Sequence, residues 1–107
     1  MSLKIAHYQS DSRRVPFDEW FDSLDGRRQA AVERRVAAVE EHDHFGDCSS
    51  LRGGLYEMRL LGAGLRIYFA YVDRVIVLLL GGSDKSSQKR AIKATRERLI
   101  DFKERAK

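Results

Sequence analysis

Hydrophobic and polar positions change rhythm twice along this chain, and the changes divide it into elements. Residues 54–85, GLYEMRLLGAGLRIYFAYVDRVIVLLLGGSDK, are apolar almost throughout. They read as three strands, about Leu55–Leu61, Leu65–Val72 and Val75–Leu80, joined by GAG and DR in short hairpin connections. Upstream, LKIAHY (Leu3–Tyr8) predicts a short strand and QSDSRR a polar turn. Pro16 suits the first position of a helix, and Asp18 and Glu19 fall in its first turn, where the helix dipole favours them. Phe17, Trp20, Phe21 and Leu24 then follow at i, i+3, i+4 and i+7, which gives that helix one aromatic face.

Asp25-Gly26 punctuates the chain, and a second helix is expected over about Arg27–Glu41 with Val32, Val36 and Val39 on one side. HDHFGDCSSLRGG (residues 42–54) is polar and reads as a loop. After Gly81-Gly82 a last helix begins near Ser86 and turns Ile92, Thr95, Leu99 and Phe102 inward. The order β-α-α-β-β-β-α, without repeats or linkers, predicts one α+β domain over residues 1–107: a small antiparallel sheet with helices packed on one face.

Charges inside the strands fix the expected register, because a slip of one residue moves a strand's whole side-chain set to the other face. Pairing Leu61 with Leu65 would put Glu57 and Arg59 among Ile67 and Phe69. Pairing Leu60 with Leu65 instead sets Tyr56, Met58 and Leu60 beside Leu65, Ile67, Phe69 and Tyr71. Glu57 and Arg59 then lie beside Arg66 and Tyr68. Burying unpaired charge costs several kcal/mol, roughly, so the second register is expected. Carried through the DR hairpin, it places Ile76, Leu78 and Leu80 on the core face and Val75, Val77 and Leu79 opposite.

Composition narrows the class of protein. At 107 residues, 43% hydrophobic and 34% charged, the chain can build a globular core without staples. Its longest apolar run, Val75–Leu80, is far below the roughly 20 residues of a membrane helix, and its start does not read as a secretory signal. A cytoplasmic protein is expected, with no membrane partner. Cys48 is the single cysteine and reads as a structural thiol. His42, Asp43, His44 and Asp47 lack further ligands at a metal-binding spacing, so neither metal nor cofactor is expected. Those two histidines and His7 read as surface residues.

Net charge is +4, but residues 84–107 alone carry +5 and the remainder −1. A basic end of this kind fits a nucleic-acid or acidic-protein partner, and equally a solvated helix face. The charged sheet face adds chemistry to it. Arginine forks match phosphate oxygens and stabilise charge developing on phosphorus, so Arg59 and Arg66 are candidates for that role. Glu57 is a candidate base toward a ribose 2′-hydroxyl, and Lys85 a candidate to assist the leaving 5′-oxygen. Tyr68 offers a ring for a base to stack on, and Lys89 and Arg90 extend the surface for RNA. An ordinary salt-bridged outer face is the alternative, although Arg59 beside Arg66 repels and argues for a missing anion.

VPFDEWFDSL, the Tyr-Glu-Met-Arg and Leu-Arg-Ile-Tyr-Phe strands, and GGSDK before the last helix together resemble the RelE/ParE superfamily of toxins, specifically the phage-derived addiction-module killer proteins related to HigB. The resemblance spans nearly the whole chain. It implies a type II toxin that cleaves mRNA on the ribosome without a metal, the 2′-hydroxyl attacking the adjacent phosphate. It also implies a cognate antitoxin, a small helix-turn-helix protein encoded nearby. Arg59, Arg66 and Lys85 match the basic residues of such toxins. Glu57 stands where some relatives have a lysine, and the last helix lacks the tyrosine they use. The same fold serves ParE-type gyrase poisons without nuclease chemistry, and an inactive antitoxin-binding remnant is a further alternative.

Overall fold

The computed structural model describes residues 3–107. Along the chain lie β1 (Lys4–His7), α1 (Pro16–Asp22), α2 (Gly26–His42), β2 (Asp47–Ser50), β3 (Tyr56–Leu60), a 3-10 turn (Leu61–Ala63), β4 (Leu65–Asp73), β5 (Ile76–Asp84) and α3 (Gln88–Arg105). The strands form one sheet in the order β1-β5-β4-β3-β2, with β1 parallel to β5 and every other pair antiparallel. The fold is mixed α+β.

Local chemistry accounts for the helices. Pro16 occupies the first turn of α1, and Arg14 grips Glu19 in that turn through bonds of 2.9 and 2.7 Å. Asp25 caps α2 by accepting the Arg28 backbone N–H at 2.8 Å, and Asp43 closes it in the left-handed region. Phe17, Val32 and Val39 from α1 and α2 pack against Met58, Leu60, Leu65, Ile67, Phe69, Val77 and Leu79. Those two helices therefore cover one face of the sheet.

The expected β3–β4 register is present: Leu60 pairs with Leu65, Met58 with Ile67 and Tyr56 with Phe69. Three other expectations need correction. The segment read as a loop contains β2, which pairs Asp47 with Arg59, Cys48 with Met58 and Ser49 with Glu57. An edge strand needs only backbone pairing on one side, so short polar sequence suffices and its apolar alternation is too brief to recognise. Next, Gly81 and Gly82 lie inside β5 rather than after it. A Cβ on Gly82 would come within 2.4 Å of the Trp20 ring, and one on Gly81 within 2.6 Å of the Arg98 guanidinium. The glycines let α1 and α3 approach the strand from either side.

The third correction is the β4–β5 register. Irregularities between Tyr71 and Asp73 and between Tyr68 and Phe69 set Tyr71 opposite Val77 and Phe69 opposite Leu79. Val77 and Leu79 thus join the α1/α2 core, while Leu78 and Leu80 point the other way. Bulges insert a residue in one strand, and each insertion reverses which side chains face inward.

Leu78 and Leu80 are not left in water. With Tyr8, Leu55, Tyr68 and Ala70 they form a second core under α3, closed by Leu99. The face expected to be uncovered is therefore half covered. Much of the basic character of α3 fastens this packing. Arg98 donates to the Leu80 carbonyl at 2.8 Å, Arg96 to the Arg52 and Leu51 carbonyls, and Arg105 to the Gln9 carbonyl. At the far end the Tyr8 hydroxyl donates to Asp101, and Arg105 lies over the Tyr8 ring.

Candidate nucleic-acid interface

Beyond the first turn of α3, the second sheet face turns from apolar to ionic. Alternation along β2, β3, β4 and β5 puts Asp47, Glu57, Arg59, Arg66 and Ser83 on that face. Glu57 lies between the two arginines: Oε1 is 3.2 Å from Arg59 Nη1, and Oε2 is 3.7 Å from Arg66 Nε. Gln88, at the start of α3, donates to the same Oε2 at 3.0 Å. Arg59 also makes a two-pronged pair with Asp47 at 3.2 and 3.0 Å. Its guanidinium holds Asp47 below the usual carboxylate range and is itself pushed up by that partner.

The two arginines are not equivalent. Arg59 has two carboxylates and a side chain about one-third exposed, at 32%, whereas Arg66 is only 15% exposed. Arg66 Nε is buried with no hydrogen-bond partner among the described residues. Buried donors are ordinarily satisfied, and an unsatisfied one costs about 1–3 kcal/mol; here Glu57 Oε2, 3.7 Å away, balances the charge without a hydrogen bond. The repulsion expected between the arginines is relieved by Glu57 and by Asp47, which arrives on the unforeseen β2.

Glu57 and Tyr68 are not the surface groups that alternation implied. Glu57 is 1% exposed, and Tyr68 is fully buried in the core under α3 with its hydroxyl 2.9 Å from Ser83 Oγ. Burial raises the Tyr68 phenol above its ordinary range, and no face of its ring is open to a base. Lys85, Lys89 and Arg90 are exposed around the start of α3. The turn carrying Lys85 is braced by Asp84, whose Oδ1 accepts from Ser86 Oγ, Ser87 N and Ser87 Oγ. These bonds lower Asp84 to about 2.

Groups expected to stand apart do so. His7 pairs with Asp18 at 2.7 Å on the α1 side, and His42 is exposed beside Glu41. Cys48 is half-buried against the first core, and burial raises its thiol. Among the described residues, no group of three or more His, Cys, Asp or Glu side chains is placed to hold a metal, and no helix is long and apolar enough to cross a membrane.

Comparison with known proteins places the chain. Residues 19–105 match the family described as Phage derived protein Gp49-like. The chain belongs to this family. The Gp49-like chain is also 36% identical over 81 residues to an uncharacterized protein of Haemophilus influenzae, covering 74% of this chain and 81% of that one. Its fold is that of the E. coli toxin RelE: a double arginine-to-alanine mutant of RelE in the free state superposes with a TM-score of 0.66 at 16% identity, covering 92% of this chain and 98% of the other.

Three members of the site in this Gp49-like chain are not marked by the local sequence pattern. Asp47 was hidden in the segment read as a loop. Gln88 comes from α3, whose crossing of this face was not foreseen, and Ser83 comes from the unrecognised end of β5. One signal existed: Asp47 and Ser49 alternate as Glu57 and Arg59 do, which is what two paired strands sharing a polar face require.

Proposed function

We propose that this chain is the toxin of a type II toxin–antitoxin pair and an endoribonuclease that cuts mRNA on the ribosome. The observation that carries the reading is Arg66, whose buried Nε faces the ionic half of the sheet without an acceptor. Nε itself is sealed beside Glu57 Oε2, 3.7 Å away, so a scissile phosphate is met by the part of the Arg66 side chain that remains exposed. In the reaction the ribose 2′-hydroxyl gives up its proton to solvent water, its oxygen bonds to phosphorus, and the bond to the 5′-oxygen breaks as Lys85 supplies a proton to that oxygen, leaving a 2′,3′-cyclic phosphate and a 5′-hydroxyl. Negative charge builds on the phosphoryl oxygens, and a guanidinium held in a dry site before the substrate arrives stabilises it without reorganising.

Glu57 acts in this scheme as a positioning residue rather than as a base. Both of its oxygens are engaged, by Arg59 and by Gln88, and it has almost no exposed surface. Arg59 holds a neighbouring phosphate, and Lys85 assists departure of the 5′-oxygen. Lys89 and Arg90 draw in the RNA strand. Tyr68 supports the floor from beneath. The partner that silences the toxin is an antitoxin, a small helix-turn-helix protein encoded beside it.

That the E. coli toxin RelE has the same fold supports the reading, as does membership of a phage-derived family. A second reading, a gyrase-binding poison, is favoured by the pairing of Arg59 with Asp47 and Glu57, which leaves the face close to charge balance. Inducing the chain in a bacterial host and mapping mRNA 5′ ends separates the two. New ends inside reading frames support the endonuclease; growth arrest with intact messages and stalled gyrase–DNA complexes removes it.

A further inference from the structure

α2 segregates its charges. Arg27, Arg28, Arg34 and Arg35 line a cleft of about 660 Å³ that is closed on its far side by the β3–β4 turn at Leu61 and Gly62. Glu33 and Glu40 instead line the groove on the helix's other flank, with Phe17 and Phe21. A helix face that merely meets water gains from mixing signs at i, i+4, since each such pair contributes about 0.2–0.5 kcal/mol. Among the described residues that arrangement is absent on the cleft side, and the only carboxylate among them that lines the cleft is Asp25, 4.0 Å from Arg28.

One of the four arginines is structural. Arg35 Nη1 donates to the carbonyls of Phe45 and Arg59, at 3.0 and 3.1 Å, and a Cβ on Gly46 would sit 2.8 Å from its Cζ. Arg35 thereby joins α2 to β3 and holds the cleft in shape. Arg27, Arg28 and Arg34 are exposed, and Arg27 and Arg34 have no ion pair or side-chain hydrogen bond among the described residues. They stand seven residues apart, which on an α-helix is two turns and about 10.5 Å. A row of this length matches an extended polyanion, and a polynucleotide backbone repeats its charge about every 3.4 Å per strand in a duplex.

We propose that this cleft is a second RNA-binding site, in which Arg27, Arg28 and Arg34 hold backbone phosphates of a structured RNA. It lies on the α2 side of the sheet, opposite the Arg59–Arg66 face, with the β3–β4 turn between them. The choice of RNA over an acidic protein rests on the proposed function. The two sites then divide the work, the cleft anchoring a folded RNA while the opposite face receives the strand to be cut.

The test is binding of the full chain to a fluorescein-labelled RNA hairpin, followed by anisotropy over a salt series, for the parent and for Arg27→Ala/Arg34→Ala. Both side chains are free of partners, so circular dichroism should show an unchanged fold. The variant should bind roughly tenfold or more weakly at low salt, with the slope of log affinity against log salt shallower by about 2, one for each lost phosphate contact. Unchanged affinity and slope would overturn the site, as would a variant that binds the hairpin normally but loses affinity for poly-glutamate. Cutting is not read in this experiment. A parent chain that never cuts mRNA, paired with a variant defective in hairpin binding, keeps the cleft and removes only the endonuclease reading.

Discussion

Gln88 Nε2 donates to Glu57 Oε2 across 3.0 Å, tying the first turn of α3 to the centre of β3. The same carboxylate joins Arg59 and Arg66, so one buried side chain fixes the position of both guanidiniums. Glu57→Gln keeps the shape and removes the charge. It should destabilise the fold by about 1–3 kcal/mol, below the full cost of breaking a buried pair because Arg59 retains Asp47. Urea unfolding measures this. If Glu57 only positions, the folded variant should keep the parent's pH–rate profile. Loss of about 10²–10⁴ in rate together with an acidic limb of that profile would instead mark it as a general base.

Tyr68 tests which side of the sheet face meets RNA. Its hydroxyl bonds Ser83 inside the α3 core, so Tyr68→Phe should cost about 0.5–1.5 kcal/mol and leave RNA affinity unchanged. Thermal melts and hairpin binding on the same samples give both numbers. A stable Tyr68→Phe protein with weakened RNA binding would show that the hydroxyl reaches the ligand.

Asp84 supplies a pH dependence. Its carboxyl is lowered from 3.8 to about 2 by hydrogen bonds from Ser86 and Ser87. A depressed folded-state value means that its contribution to stability is complete above about pH 4 and is lost as pH falls toward 2. The group is exposed, so the contribution is screened and about 0.5–1 kcal/mol, the lower part of the range for a capping side chain. Asp84→Asn should be less stable than the parent at neutral pH and should converge with it in acid. Urea midpoints between those limits that stay parallel would contradict the assignment.

What the sequence made legible was local. The charge alternation in β3 and β4 was enough to place Glu57, Arg59 and Arg66 together, because a wrong register would have buried unpaired charge. What it hid depended on other parts of the chain. Nothing in residues 75–80 announces a bulge at Val72, and that one extra residue exchanges Val77 and Leu79 for Leu78 and Leu80. The pattern Ile92, Thr95, Leu99, Phe102 identified an inward face of α3 but not which face of the sheet it would meet. Once α3 closes over Leu78 and Leu80, Tyr68 is sealed and Gln88 reaches Glu57. The basic run in α3 was ambiguous for a related reason: an arginine bound to a distant carbonyl, as Arg96 and Arg98 are, looks the same in sequence as one turned to water.

Arg66 is the centre of the proposal, and its role is tested most directly by cleavage of a defined message on programmed ribosomes with purified Arg66→Ala beside the parent. Glu57 keeps Arg59 and Gln88 in the variant, so melting should change by only a few degrees, corresponding to about 1 kcal/mol. This folded protein is expected to lose at least about 10²-fold in cleavage rate, the scale of removing one preorganised donor from developing charge. A folded Arg66→Ala protein that cuts the message at the parent's rate would contradict that role.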